Sequence, residues 1–77
     1  MPSLFELERN KDIEAIAELV SKSDNPTIRA RAAEILGDIE ETTESSDALQ
    51  QLVAAVRTDD DENVKAAAID ALTSLEQ

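Results

Sequence analysis

The sequence contains no cysteine and no histidine. Without cysteine, the chain can form no disulfide, no thiolate metal site and no thiol nucleophile. Without histidine, it also lacks the side chain that most often moves protons in catalysis near neutral pH. Together these two absences exclude the commonest catalytic and metal-binding constellations.

Aromatic residues and glycine are nearly missing as well. Phe5 is the single aromatic side chain, and the chain has one glycine. A stacking platform for nucleic-acid bases needs aromatic side chains, and a phosphate-binding loop needs several glycines. The sequence therefore predicts no cofactor and no enzymatic activity, since the abundant carboxylates alone define no acid–base pair.

Long apolar runs are also absent. No segment approaches the roughly 18 apolar residues of a membrane span. The first residues, MPSLFELERNKD, have neither a basic end nor an apolar stretch suited to secretion. The sequence therefore predicts a cytoplasmic location and no membrane partner.

Basic residues are few. The chain has seven lysines and arginines and 18 acidic residues, which gives a net charge of -11. Nucleic acids and anionic surfaces are recognised through lysine and arginine, so no nucleic-acid partner is predicted. Strong acidity, few lysines and small apolar side chains resemble the proteins of halophiles, in which concentrated salt screens the self-repulsion. A halophilic archaeon is the expected source, and an acidic mesophile is the alternative.

Apolar periodicity predicts five helices and no strand in a single domain of residues 1–77. Ser3 and Glu6 form a capping box that opens a short helix over residues 3–10. Gly37 interrupts the third helix, which indicates either early fraying or a close approach by another helix. The remaining predicted segments are helices over 12–23 and 26–40, a polar linker over 40–46, a helix over 47–57, and a last helix that is capped by Asp60 or Asp61 and ends at Glu76.

The helical pattern occurs twice with an offset of 36 residues, since DNPTIRARAAEILGDIE at 24–40 returns as DDENVKAAAIDALTSLE at 60–76. Ten apolar positions keep their apolar character across this offset without a gap. A period of this size that is built from two helices is typical of an α-solenoid. The ten pairs are Ile13 and Leu49, Ile16 and Leu52, Ala17 and Val53, Leu19 and Ala55, Val20 and Val56, Ile28 and Val64, Ala32 and Ala68, Ile35 and Ala71, Leu36 and Leu72, and Ile39 and Leu75.

The repeated residues resemble the HEAT repeat family, in particular the short variety named for phycobilisome lyases. The resemblance implies an all-α fold, an α-solenoid of two helical hairpins over residues 12–40 and 47–76 behind an N-terminal capping helix over residues 3–10. It also implies binding of other proteins along a concave face. The motif residues are Asp24, Asn25, Ile28, Arg29, Ala32, Ala33, Leu36, Gly37 and Ile39 in the first unit and Asp60, Asp61, Val64, Lys65, Ala68, Leu72 and Leu75 in the second, where Thr73 replaces the glycine.

In such a solenoid, the second helix of each hairpin lines the concave face. Arg31 is the strongest single candidate for a partner contact, because arginine is enriched at interface hot spots. The alternative is a hydrated polar face without a specific partner. The eight predicted partner-binding residues are Thr27, Arg31, Glu34, Asp38, Asn63, Ala67, Asp70 and Ser74.

Two charged features have structural explanations. Arg29 and Lys65 are predicted to bridge to the helix caps of an adjacent unit, or else to be solvated. The acidic run Asp59–Glu62 lacks the spacing and the glycine of an EF-hand loop. We therefore interpret this run as helix capping, and no metal site is predicted.

The apolar residues of the first helix are Leu4, Phe5 and Leu7. Terminal units of a solenoid need a cover, so these residues are predicted to cap its N-terminal end. A short docking motif for a partner or for a second copy is the alternative.

Taken together, the pattern predicts a non-catalytic protein-interaction module or scaffold that binds a partner protein through its concave face. One alternative, suggested by the resemblance, is an accessory subunit of a lyase-like enzyme system that attaches a tetrapyrrole. The other is a self-assembling structural unit. A homodimer is a further possibility, because two repeats are fewer than the three or more that usually give a stable array.

Overall fold

The computed structural model describes residues 3–77, which form five α-helices and one 3₁₀-helix. No strand occurs in this range, so the all-α prediction with five α-helices is confirmed. The elements are α1 (Leu4–Arg9), α2 (Ile13–Lys22), α3 (Pro26–Asp38), the 3₁₀-helix η1 (Glu40–Glu44), α4 (Ser46–Thr58) and α5 (Glu62–Glu76).

Side-chain caps set the helix starts. The Ser3 hydroxyl accepts from the Glu6 amide at 3.2 Å while the Glu6 carboxylate accepts from the Ser3 amide, which confirms the predicted capping box. Of the two candidates for α5, Asp61 is the cap, because its carboxylate accepts from the amides of Asn63 and Val64 at 2.9 and 3.1 Å. The cap of α4 is Ser45, so α4 starts one residue earlier than predicted.

The helices pair into two stacked hairpins. Helices α2 and α3 form the first hairpin, and α4 and α5 form the second. Between hairpins, α2 packs on α4 and α3 packs on α5, and the contact between α3 and α5 is the most extensive in the structure. The core between them contains few large side chains; the largest that are fully buried are Ile16, Ile35, Leu36, Leu52, Val20, Val64 and Thr42.

Gly37 lies where α3 meets α5. A Cβ atom at this position would lie only 2.7 Å from the Ala71 Cα and 2.9 Å from the Ala71 Cβ. The helix continues through Gly37 to Asp38. Of the two interpretations of this glycine, the close approach of another helix is therefore the correct one.

The segment after α3 is a folded junction rather than the predicted plain linker. Ile39 adopts an extended backbone and is buried, so α3 ends two residues earlier than expected. Thr42 in η1 is fully buried, and its hydroxyl donates to the Leu36 carbonyl at 2.9 Å. The same carbonyl also accepts from the Ile39 amide at 3.2 Å, so the Thr42 hydroxyl is a second donor at the C-terminus of α3.

Replacing Thr42 by valine should lower the free energy of unfolding by about 1 kcal/mol, because it keeps the side-chain shape but removes one of the two donors to the Leu36 carbonyl, which retains only the Ile39 amide at 3.2 Å. Urea titration at constant salt measures this change. The matched control is Thr43→Val at the exposed neighbouring threonine, which should change stability by less than about 0.5 kcal/mol. Equal losses in the two variants would contradict the role of Thr42.

Helix α1 covers the first hairpin with part of its apolar set. Leu7 is buried and Leu4 packs against the core, which confirms the predicted N-terminal cap for these two residues. Phe5 is 68% exposed, so the prediction is wrong for this side chain. Leu4 and Leu7 are three residues apart and share one face of the helix, whereas Phe5 lies on another face. There the centroid of the Phe5 ring lies 5.8 Å from the Arg9 guanidinium carbon.

Candidate protein-binding surface

A partly buried ion pair fixes α3 relative to the second hairpin. The Arg29 guanidinium donates to both carboxylate oxygens of Asp59, from Nε at 2.9 Å and from Nη2 at 3.2 Å. Its Nη1 donates to the Ser23 carbonyl at 2.8 Å. The Arg29 and Asp59 side chains are only 14% and 10% exposed. This bidentate geometry is directional, so it holds the start of α3 and the turn before α5 at one separation.

The prediction that Arg29 bridges to the neighbouring unit is confirmed, with Asp59 as its partner. The Asp59 carboxylate also accepts from the amide of Asp61, the cap of α5, at 3.0 Å. Lys65 instead lies 3.8 Å from Glu62 of its own helix, so the described residues show no bridge to another unit from this lysine. The acidic run thus contains an ion-pair partner, Asp59, and a helix cap, Asp61, in agreement with its structural interpretation.

The pKa values of the pair show that both groups stay charged near neutral pH. Burial alone would raise the pKa of Asp59, but hydrogen bonds from Arg29 and from the Asp61 amide hold that pKa below its ordinary value. The hydrogen bond to Asp59 raises the pKa of Arg29, although burial opposes this shift. The pair is therefore a permanent structural contact rather than an acid–base couple.

Seven of the eight predicted partner-binding residues are exposed. Ala67 is the exception, because it is only 6% exposed and belongs to the core. Ala67 lies on α5, which packs closely on α3, so α3 covers its small side chain. The exposed residues are Thr27, Arg31, Glu34 and Asp38 on α3 and Asn63, Asp70 and Ser74 on α5.

Six of these residues line two separate grooves, four in the first and two in the second. The first groove has a volume of about 250 Å³ and is lined by Thr27, Arg31, Glu34 and Asn63 together with neighbouring residues. The second lies near the C-terminal ends of α3 and α5, has a volume of about 430 Å³, and includes Asp38 and Ser74 in its lining. Asp70 lines neither groove.

The electrostatics of this surface are dominated by carboxylates. Arg31 is its one cation, beside the carboxylates of Glu34, Asp38 and Asp70, which leaves two net negative charges on the seven exposed residues. The Arg31 guanidinium lies 3.2 Å from Glu34 and 3.9 Å from Glu8 of α1. Exposed pairs of this kind contribute only about 0–1 kcal/mol, so they hold the Arg31 side chain only weakly.

Residues 3–77 contain no group of three or more acidic side chains arranged to hold a metal ion. Among the helices described in this range, none is long and apolar enough to cross a membrane.

The two stacked hairpins, joined across their turns by Arg29, define an α-helical repeat protein. The chain belongs to the HEAT repeat family: the HEAT repeats family matches residues 4–73, which confirms the resemblance inferred from the motif. A HEAT repeat-containing taxis protein of Halobacterium salinarum is 53% identical over 76 residues, which are 99% of this chain and 18% of that protein. The chain therefore spans less than a fifth of the length of that relative. No solved structure gives a significant match.

The relative comes from a halophilic archaeon, in agreement with the expectation from the acidic composition. The finer assignment to the short variety named for phycobilisome lyases remains a prediction, since the match is to HEAT repeats in general.

Proposed function

We propose that this chain is a non-catalytic module that binds another protein through the exposed residues of α3 and α5. HEAT repeats generally mediate protein–protein interaction. The observation that carries the proposal is that six exposed polar residues of α3 and α5 line two grooves, one toward the N-terminal ends and one toward the C-terminal ends of these helices. Solenoid proteins use extended surfaces of this type for recognition.

The charge of the surface suggests the chemistry of its partner. With two net negative charges on the seven exposed residues, the surface complements a partner segment that carries basic side chains. The Arg31 guanidinium lies near the carboxylates of Glu8 and Glu34. A carboxylate on the partner can take the place of one of them, so the partner segment should also carry an acidic side chain opposite Arg31.

The relative named as a taxis protein contains a closely similar segment within a much longer chain. We extend the proposal accordingly: the module acts by holding together proteins of a signalling system that directs movement. The segment shared with the relative spans both hairpins.

The test combines charge reversals at Arg31→Glu, Glu34→Lys and Asp70→Lys in one variant. Immobilised chain is used at high salt to capture proteins from an extract of a halophilic archaeon, and each captured protein is quantified by mass spectrometry. The variant should reduce capture of the specific partner at least about tenfold, because central charged contacts cost several kcal/mol when reversed. Circular dichroism should show unchanged helicity.

A matched control changes three exposed charges on α2, as Lys22→Glu, Glu14→Lys and Glu18→Lys. This control alters the net charge of the chain by the same amount as the test variant, so it separates a local surface effect from a general charge effect. Equal capture by the test variant, the control and the unchanged chain would refute the proposed binding surface.

A further inference from the structure

A third groove lies between the two hairpins, where the C-terminal halves of α2 and α4 meet the start of α3 and the turn before α5. Its volume is about 420 Å³. Among the described residues, it shares no lining side chain with the two grooves of α3 and α5. We call it the lateral groove; its rim is formed by Ser21 on α2, by Gln51, Ala54 and Thr58 on α4, and by Asp60 in the turn.

The floor of the lateral groove is apolar. Val20 and Ala55 are core residues that reach its inner surface, and they are only 1% and 6% exposed. Ala54 adds an exposed methyl group beside them. An occupant with an aliphatic segment gains from contact with this floor, because the contact removes apolar area from water on both sides.

The polar atoms around this floor are mainly hydrogen-bond acceptors. The Ser21 hydroxyl donates to the Glu18 carbonyl at 3.2 Å, and the Thr58 hydroxyl donates to the Ala54 carbonyl at 2.8 Å. Each hydroxyl has only one hydrogen, so both oxygens offer an occupant their lone pairs alone. The Gln51 carboxamide adds one acceptor oxygen and one NH₂ group. The groove therefore favours an occupant that is rich in hydrogen-bond donors.

The charged side chains that line the lateral groove add to one negative charge. Arg29 and Asp59 neutralise each other through their bidentate contact. The charge of Asp60 remains, because its carboxylate lies 3.8 Å from the Arg29 Nη2 atom, too far for a hydrogen bond. The Asp60 side chain is 98% exposed, so its oxygens are accessible to an occupant.

The charges on the adjoining helix ends and turns do not reverse this sign. The C-terminal ends of α2 and α4 contribute the partial negative charge of their helix dipoles. Two of the three nearby cations lie 3.8 Å from glutamates of their own helices, Lys22 from Glu18 and Lys65 from Glu62. The adjoining charged residues are the cations Lys22, Arg57 and Lys65 and the acids Glu18, Asp24, Asp61 and Glu62.

We propose that the lateral groove binds a lysine side chain of a protein partner. The aliphatic stem of the lysine lies on Val20 and Ala54, as such stems do on apolar surfaces. Its ammonium donates to the Asp60 carboxylate and to the hydroxyl oxygens of Ser21 and Thr58. Lysine fits better than arginine, because its three donors rotate toward acceptors on different elements, whereas the donors of a guanidinium lie in one plane.

The lateral groove gives the module a second site for a partner. Since it shares no lining side chain with the grooves of α3 and α5, the two sites can be occupied at the same time. A chain with two such sites can bring two proteins together, whereas a single surface only captures one. The lysine site itself does not depend on the function proposed for α3 and α5.

A titration of the isotope-labelled full chain with a lysine peptide, followed by NMR, tests this proposal. The probe is an acetylated and amidated pentapeptide with one lysine between alanines. We expect the largest amide shifts at Ser21, Gln51, Ala54 and Thr58, with a dissociation constant on the order of 1 mM. Norleucine in place of the peptide lysine keeps the aliphatic stem but removes the charge and the donors, so it should weaken binding at least about fivefold.

A variant of the chain separates the lateral groove from general attraction between a cation and an acidic protein. Asp60→Asn should raise the dissociation constant of the lysine peptide about threefold, as expected for the loss of an exposed ion pair. The matched control is Asp24→Asn at the exposed counterpart 36 residues earlier, which changes the net charge by the same amount. It should leave the dissociation constant unchanged. Circular dichroism checks that both variants stay helical.

Three results would overturn the proposal. These are equal binding of the norleucine peptide, equal effects of Asp60→Asn and Asp24→Asn, and amide shifts that are spread evenly over the acidic surface. Tighter binding of a peptide with arginine in place of lysine would overturn the choice of lysine. None of these results bears on the surface of α3 and α5, whose test uses other variants and another measurement.

Discussion

Replacing Asp59 by alanine is expected to lower the melting temperature by about 10 °C or more. The substitution leaves the Arg29 guanidinium charged and largely buried, without the carboxylate that accepts two of its hydrogen bonds. It also removes the acceptor of the Asp61 amide, which helps to place the cap of α5. In a partly buried pair, the larger of these two losses is the guanidinium left without its carboxylate.

The matched control for this prediction is Asp60→Ala. The Asp60 side chain is 98% exposed and lies 3.8 Å from the same guanidinium. Its removal therefore tests the effect of a nearby negative charge that makes no bidentate contact with Arg29. It should shift the melting temperature by no more than about 2 °C, because an exposed pair contributes little. Comparable shifts for the two variants would show that the general acidity near Arg29, rather than the bidentate contact, stabilises the fold.

The contribution of Asp59 to stability should also depend on pH. Because the pKa of Asp59 is lowered in the folded state, its contribution is fully present above the unfolded value of about 3.9 and is lost as the pH falls through the lower folded value. We therefore expect the difference in melting temperature between the unchanged chain and Asp59→Asn to be constant near neutral pH and to shrink below about pH 4. The other carboxylates titrate in both proteins, so the comparison cancels most of their effect.

Replacing Gly37 by valine is expected to cost more than about 3 kcal/mol of unfolding free energy. The new Cβ atom alone would lie 2.7 Å from the Ala71 Cα, which is backbone and cannot rotate away. Helices α3 and α5 would have to separate, and this would open the most extensive contact between the hairpins. Chemical denaturation at high salt measures the loss.

Gly37→Ala separates two opposing effects at the same position. Alanine in place of glycine favours a helix by about 1 kcal/mol, whereas an overpacked contact costs about 1–3 kcal/mol. Because the close contact is with backbone, we expect the packing effect to dominate and the variant to be less stable by about 1–2 kcal/mol. The matched control is Thr73→Ala at the corresponding exposed position, which should be neutral or slightly stabilising. A Gly37→Ala variant that gains stability would show that the two helices move apart freely.

The helices, their caps and the doubled pattern are predictable from the sequence because their signals are local. Apolar spacing fixes which face of a helix is buried, and Ser3 and Asp61 act on amides two or three residues away. The offset of 36 residues then indicates which helices are equivalent. None of these inferences requires knowledge of the distance between hairpins.

The features that the sequence did not predict depend on how closely the hairpins approach each other. Asp59 is one of four consecutive acidic residues, and only the stacking distinguishes it as the partner of Arg29. Ala67 lies off the apolar stripe of α5, yet the close contact with α3 buries it. Thr42 stands among glutamates and has no apolar neighbour in sequence, so its burial leaves no periodic signal. In the structure, the counterpart of Asp59 in the first unit, Ser23, also accepts a hydrogen bond from the amide two residues later.

The buried junction around Thr42 also affects the thermodynamics of recognition. η1 contacts α3, α4 and α5 at once, and the Thr42 hydroxyl ties it to the end of α3. The second hairpin is therefore held directly against the first, and Glu40 and Thr43 of η1 help to line the groove at the C-terminal ends of α3 and α5. Binding to a surface that is already ordered loses little conformational entropy on the side of the module. The partner segment proposed above should therefore bind with useful affinity despite the modest area of two hairpins.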